Sequence, residues 1–128
     1  MLQKMFLKLD GVTGESKSPR HFGEIEIFKF YWGHGHQMRA GGGPGKAGVN
    51  DLTISKRFDK TSPILMSAWT RGQNFSEGFL TIEELSESGG LIRSVAFKFT
   101  SVLIHFVTVE ETFETIALNF EGARLVCP

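Results

Sequence analysis

Two closely spaced histidines are the first residues of this sequence whose type and spacing suggest chemistry. His34 and His36 are separated by one glycine, and His21 or His105 could supply a third imidazole to a metal ion. No carboxylate lies in the same stretch, and Cys127 is the only thiol of the chain, so the set of candidate ligands is thin. We therefore interpret these residues as exposed loop histidines, expect no bound metal, and rank a metal-dependent enzyme third among the hypotheses.

A glycine-rich stretch follows these histidines. Residues 40–47 read AGGGPGKA, which approaches the phosphate-binding loop of nucleotide hydrolases. That motif requires Gly where Ala40 stands, Ser or Thr where Ala47 stands, and a helix directly afterwards. The alternating pattern that follows here predicts a strand. The stretch is thus interpreted as a flexible loop, and no cofactor is expected.

The remaining reactive side chains form no catalytic pattern. A Gly-x-Ser-x-Gly turn is absent from the sequence. The carboxylates at 83–84 and 110–111 are chain neighbours, which in a strand point to opposite faces, so we interpret both pairs as solvated strand ends. Lys56 and Arg57 are interpreted as a surface feature or as salt-bridge partners. The residues favour a protein that is not an enzyme.

Composition limits the remaining classes of function. The 128 residues carry 14 basic and 14 acidic side chains, and this zero net charge disfavours nucleic-acid binding while permitting self-association. No run of eighteen apolar residues suits a membrane span, and the amino terminus shows no signal-peptide pattern, so folding in the cytoplasm is expected. Twelve Phe and fifteen Gly favour an all-β chain with many turns, and the length favours one domain over 1–128.

Alternating apolar residues locate the elements that would position these side chains. They predict strands over residues 4–10, 24–32, 49–58, 79–83, 92–109 and 112–120, with a tail through Val126 that can pair as well. The inward parity changes at Phe28 and again near Thr100 and Ser101, which predicts bulges or bends. We expect the aromatic residues, Trp32 and Trp69 included, to fill the interior.

A loop, a turn and a helix are predicted between these strands. Residues 33–48 form an extended glycine-rich loop, and residues 86–90 read as a hairpin turn. Residues 62–72 predict a helix with Ser62 as N-cap, Pro63 in its first turn and Gly72 as C-cap. Its apolar face is predicted to plug an open end or side of a barrel and comprises Ile64, Leu65, Ala68 and Trp69.

Several motifs, taken in order, resemble the haemolysin-coregulated protein (Hcp) family, which forms the tube of bacterial type VI secretion. The resemblance runs from about Met5 to Phe120. The matching segments are FLKLDGVTGESK (6–17), GEIEI (23–27), WG (32–33), GGGPGK (41–46), DLTISK (51–56), DKTSP (59–63) and ALNF (117–120).

The resemblance implies a fold and an assembly. The fold would be an antiparallel two-sheet β-barrel flanked by one helix, like a phage tail tube. Six copies would form a homohexameric ring, and rings would stack into a hollow conduit. Spike and sheath proteins and effectors carried in the lumen would be the other partners. The protein would be cytoplasmic before firing and then secreted through the type VI system, with no nucleic acid bound and no membrane insertion.

The resemblance also places oligomer contacts in two glycine-rich turns, where the chain permits close backbone approach. The residues are Gly41, Gly42, Gly43, Pro44, Gly45 and Lys46 in the extended loop, and Ser88, Gly89 and Gly90 near a ring face. Longer family members continue with a further strand after the position of Phe120, and its loss is expected to expose a sheet edge or weaken stacking. The alternative function is a monomeric small β-barrel that binds a hydrophobic ligand or peptide.

Overall fold

The computed structural model describes residues 2–32 and 51–126. In these segments α1 (Ser62–Arg71) is the α-helix, and a short 3-10 helix (Pro19–His21) lies in the β1–β2 connection. The strands are β1 (Leu2–Leu9), β2 (Ile25–Ile27), β3 (Lys29–Trp32), β4 (Asp51–Arg57), β5 (Asn74–Leu85), β6 (Leu91–Val109) and β7 (Phe113–Val126). No helix in the described segments is long and apolar enough to cross a membrane.

The strands form one antiparallel sheet in the order β2-β1-β5-β6-β7-β4-β3. The prediction of an all-β fold with one short helix is confirmed. Strands that the resemblance divides between two sheets are here joined in a single sheet that curls.

Residues 25–32 close this curl, because their two strands, β2 and β3, are the two end strands of the sheet. β2 pairs with β1 and β3 pairs with β4, and Phe28 between them donates its N–H to the carbonyl of Ser55 at 3.0 Å. The predicted single strand over 24–32 is therefore two strands. The parity change at Phe28 marks the point where the chain changes partner.

A bend in β6 changes which side chains face the interior. Ser101 adopts a left-handed φ of 55°, and both Phe99 and Val102 on either side of it are buried. The parity change predicted near Thr100 and Ser101 is confirmed. β5 begins at Asn74, earlier than predicted, and residues 122–126 pair with β6, as expected for the tail.

Aromatic side chains fill the interior near the bend. The Trp32 ring lies edge-on to Phe97, Phe99 and Phe120, with centroid distances of 5.1, 5.3 and 5.9 Å. Phe99 and Phe120 also contact each other, at 4.7 Å. The aromatic core predicted from the sequence is confirmed for these residues.

The helix begins one residue earlier than its predicted first turn. Its N-cap is Thr61 rather than Ser62, and the N–H of Thr61 donates to Asp59 Oδ1 at 2.8 Å. Gly72 has φ 65° and caps the C-terminus, as predicted. Leu65 is buried, but Ile64 is 44% exposed, so its predicted place on the buried face was wrong.

A buried ion cluster lies where α1 begins. Lys56 continues the inward parity of β4, and its Nζ donates to Glu114 Oε2 at 2.6 Å and to Asp59 Oδ1 at 2.9 Å. Ser62 Oγ also donates to Glu114. Desolvation raises the pKa of Asp59, but hydrogen bonds from Thr61 and Lys56 together outweigh it, so the net pKa is lowered. The cluster connects the start of α1 to β4 and β7.

A second polar cluster holds the β1–β2 connection against the outer face. Glu83 is buried there and accepts hydrogen bonds from Arg20 Nε at 2.8 Å and from the ring of His21 at 3.0 Å. The same ring stacks on Phe6 at 4.5 Å, which explains why Phe6 is buried on the face opposite Leu7. The hydrogen bond from Arg20 is the main cause that lowers the pKa of Glu83, and it outweighs desolvation.

Gly14 is required by this connection for close backbone approach. Its N–H donates to the carbonyl of Gly23 at 2.6 Å, and a Cβ at Gly14 would lie 2.4 Å from the carbonyl oxygen of Glu24. Because that oxygen belongs to the backbone, the connection must shift. We expect Gly14→Ala to lower the free energy of unfolding by about 1–3 kcal/mol in urea denaturation. Gly90→Ala is the control, since its nearest neighbour would be Ser86 Oγ at 3.4 Å; equal losses would contradict the prediction.

Glu83 should make stability sensitive to acid. A carboxylate with a lowered folded pKa contributes stability that is present above its unfolded pKa and is lost as the pH falls through its folded pKa. The midpoint temperature of thermal unfolding of the wild type should therefore fall as the pH drops below about 4.5. Glu83→Gln should be less stable at neutral pH and show a shallower decline on acidification. The neighbouring change Glu84→Gln, which removes an exposed pair with Arg93, should keep the wild-type slope.

Candidate assembly surface

The β5–β6 turn is the described part of the predicted oligomer contact. Ser86 organises it: its N–H donates to the carbonyl of Gly90 at 2.7 Å, and its Oγ accepts from the N–H of Gly90 at 3.0 Å. Gly89 has φ 96°, a conformation that L side chains rarely adopt. Ser88, Gly89 and Gly90 are all exposed. The hairpin prediction is confirmed, and the turn presents bare backbone to solvent.

The other predicted contact residues cannot be placed in the same way. Gly41, Gly42, Gly43, Pro44, Gly45 and Lys46 lie outside the described residues, as do His34 and His36. Both contact regions therefore remain predictions.

Exposed apolar side chains surround the β5–β6 turn. Leu2 pairs with Leu85 across the sheet, and Leu85 pairs with Leu91. Leu2 is 53% exposed, and Leu91 and Ile92 are 43% and 52% exposed. Apolar residues grouped on a surface in this way are typical of protein–protein contacts. We call Leu2, Leu91 and Ile92, together with Ser88–Gly90, the turn surface.

A charged pair borders the turn surface. Arg93 lies next to Ile92, and its guanidinium pairs with Glu84 at 2.6 Å. Both partners are partly exposed, so the pair contributes little to stability, about 0–1 kcal/mol. An apolar centre with a charged rim is the arrangement found in many interfaces between subunits.

The neighbouring carboxylates of the sequence do not form an acid–base couple. Glu83 and Glu84 point to opposite sides, as predicted for strand neighbours, but Glu83 is buried and the interpretation of both as solvated was wrong. Its burial could not be read locally, because the connection that covers it lies 62 and 63 residues earlier in the chain. Glu110 and Glu111 are exposed, as expected.

Lys56 lies in the interior and not on the surface. It is fully buried and ion-paired, so the salt-bridge interpretation is confirmed and the surface interpretation is wrong. A signal for this was present in the sequence, since Lys56 shares the parity of Leu52 and Ile54, and Glu114 shares that of Ile116. Arg57 is exposed and stacks on Phe28.

The described histidines have separate structural surroundings. His21 contacts Glu24 and Glu83 at 3.1 and 3.0 Å, whereas His105 lies on β6, 3.6 Å from Asp51. Within residues 2–32 and 51–126, no group of three or more His, Cys, Asp or Glu side chains is arranged to hold a metal ion.

Comparison with known proteins adds an independent finding. The family model described as "Type VI secretion system effector, Hcp" matches residues 6–125. "Protein hcp1" of Pseudomonas aeruginosa is 33% identical over 137 residues, covering 98% of this chain and 83% of that protein.

Solved structures agree with this match. Hcp1 from Salmonella typhimurium has a TM-score of 0.78 at 24% identity, over 98% of this chain and 86% of that one. A structure titled as a type six secretion system protein has a TM-score of 0.78 at 29% identity, over 97% and 83% of the two chains. The family match and the curated relative each span nearly the whole sequence. This chain belongs to the Hcp family of type VI secretion tube proteins.

Proposed function

We propose that this protein is a structural, non-enzymatic tube subunit that forms a homohexameric ring. Rings stack into a hollow conduit that leaves the cell through the type VI system. The family match over residues 6–125 carries this proposal. The spike and sheath proteins of that system and effectors in the lumen are its partners. Before firing the subunit is cytoplasmic, and its export uses no signal peptide.

The turn surface supports self-association in physical terms. Leu2, Leu91 and Ile92 expose apolar area that a neighbouring copy can bury, at about 25 cal/mol per Å². Zero net charge leaves little repulsion between copies. In a closed ring every subunit uses the same pair of contacts, so a contact of modest size is repeated six times. The loop residues Gly41 to Lys46 provide the second contact, by reaching a neighbouring subunit or ring.

The ring is tested first by mass. Native mass spectrometry of the purified protein at micromolar concentration should show a dominant species near 85 kDa, six times the 14.2 kDa chain. A sixfold species that dissociates on dilution would also support the ring. A monomer that persists at every concentration would overturn it and favour the ligand-binding barrel.

The place of the contact is tested by substitution. Ile92→Lys should put a charge on the turn surface and shift most of the protein from the hexamer to smaller species. Ile64→Lys is the matched control, because Ile64 has comparable exposure, 44% against 52%, but lies on α1. Circular dichroism should show that both variants keep the fold. Dissociation of the Ile64 variant alone would contradict the assignment of the contact to the turn surface.

A further inference from the structure

A depression at the opposite end of the sheet has the features of a binding site. It lies where β2 passes into β3 and where β4 ends, and its volume is about 240 Å³. We call it the Phe28–Phe58 depression; its lining residues are Ile27, Phe28, Phe58, Arg57, Glu15 and Glu26, together with Asp59.

The two phenyl rings are exposed, and the Phe28 ring is held by its neighbours. Phe28 is 43% exposed and Phe58 is 48% exposed. The Phe28 ring lies edge-on to Phe113 at 5.5 Å, and its N–H is bonded to the carbonyl of Ser55. Phe58 stands directly before Asp59, which is tied to the ion cluster of Lys56. A ligand that contacts the Phe28 ring would therefore lose little free energy to ordering it.

The depression already contains one cation on an aromatic face. The guanidinium carbon of Arg57 lies 5.3 Å from the centre of the Phe28 ring. Such contacts contribute about 0.5–1 kcal/mol at exposed sites. The Phe58 ring has no such partner among the described residues and is the open wall of the depression.

Two carboxylates at the rim have no cationic partner within the described residues. Glu15 accepts one hydrogen bond, from the N–H of Lys60 at 2.8 Å, and Glu26 forms no ion pair. Asp59, by contrast, is paired with Lys56 at 2.9 Å. Glu15 and Glu26 outnumber Arg57, the one cation among the lining residues, so the rim keeps a net negative charge that repels anions such as phosphate. A purely apolar ligand would bury these carboxylates without compensation, which is costly.

We propose that the Phe28–Phe58 depression receives one arginine or lysine side chain presented by a partner protein. The aliphatic stem packs on Phe58, and the cationic head lies against Glu15 and Glu26. Long basic side chains combine an apolar stem with a charged end, which matches both halves of the site. The volume suits a single side chain, so the site acts as a socket within a larger contact. The socket is a property of the subunit and does not depend on the ring.

The test uses the whole chain and defined probes. Deuterated, ¹⁵N-labelled protein is titrated with the peptide acetyl-Ala-Arg-Ala-amide, and backbone amide shifts are followed by NMR. We expect saturable shifts in residues 26–28 and 57–59, with a Kd of about millimolar. The same peptide with norleucine or Glu in place of Arg should bind more weakly. Equal binding of the norleucine peptide, or no shifts at these residues, overturns the proposal.

Substitutions separate the carboxylate and aromatic contributions. Glu26→Gln should raise the Kd by about two- to fivefold, the range of an exposed ion pair, and Phe58→Ala should abolish saturable binding. Glu111→Gln and Phe22→Ala are the controls, because they remove an exposed carboxylate and an exposed phenyl ring outside the depression. Equal effects of the controls would overturn the site.

A second copy of the chain is the competing occupant. If Glu26→Gln or Phe58→Ala changes the number of subunits seen by native mass spectrometry, the depression belongs to a contact between copies. The proposal of a separate partner then fails. If the wild type shows no sixfold species while the arginine peptide still binds at residues 26–28, the ring fails and the socket stands.

Discussion

Closure of the sheet by residues 25–32 is the constraint on which the rest of the structure depends. A curled sheet leaves two edges with unpaired backbone groups, and each exposed edge is a site for unwanted pairing. Here β2 pairs with β1 and, after Phe28, β3 pairs with β4. One segment thus occupies both ends of the strand order. Because Trp32 ends this segment, closure also brings its ring onto Phe97, Phe99 and Phe120.

Closure alone would leave the outer face of β1 and β5 and one end of the interior open, and buried charges cover both places. Glu83 fixes the β1–β2 connection through Arg20 and His21, and Lys56 fixes the start of α1 through Asp59 and Glu114. Burying charges is expensive, and removal of one partner from such a cluster typically costs about 3–5 kcal/mol. We attribute to each cluster a role in specificity: its hydrogen bonds define one position for a polar connection, whereas apolar packing alone would allow several. The fold therefore combines an aromatic interior with buried ion pairs at its margins.

Local features of this fold were readable from the sequence, and nonlocal ones were not. The helix cap at Gly72 and the turn at Gly89 follow from backbone conformations that few other residues adopt, and the bend at Ser101 follows from a change of parity along one strand. The burial of Glu83 depends on a connection more than sixty residues away, so no window around it contains the signal. Lys56 is an intermediate case. Its parity with Leu52 and Ile54 pointed inward, but its charge suggested the surface, and only the facing Glu114 resolves the conflict.

The turn surface and the Phe28–Phe58 depression lie at opposite ends of the longest strand. β6 begins at the turn surface, where Leu91 pairs with Leu85, and ends where Val109 pairs with Glu114. Arg57, at the Phe28–Phe58 depression, pairs with Phe113 at that second end. A contact at one end therefore leaves the other end accessible. The two surfaces also differ in chemistry, because the first is mainly apolar and the second combines phenyl rings with two carboxylates that have no cationic partner among the described residues. The proposed self-association through the first surface and the proposed recognition of a basic side chain by the second are therefore compatible on one subunit.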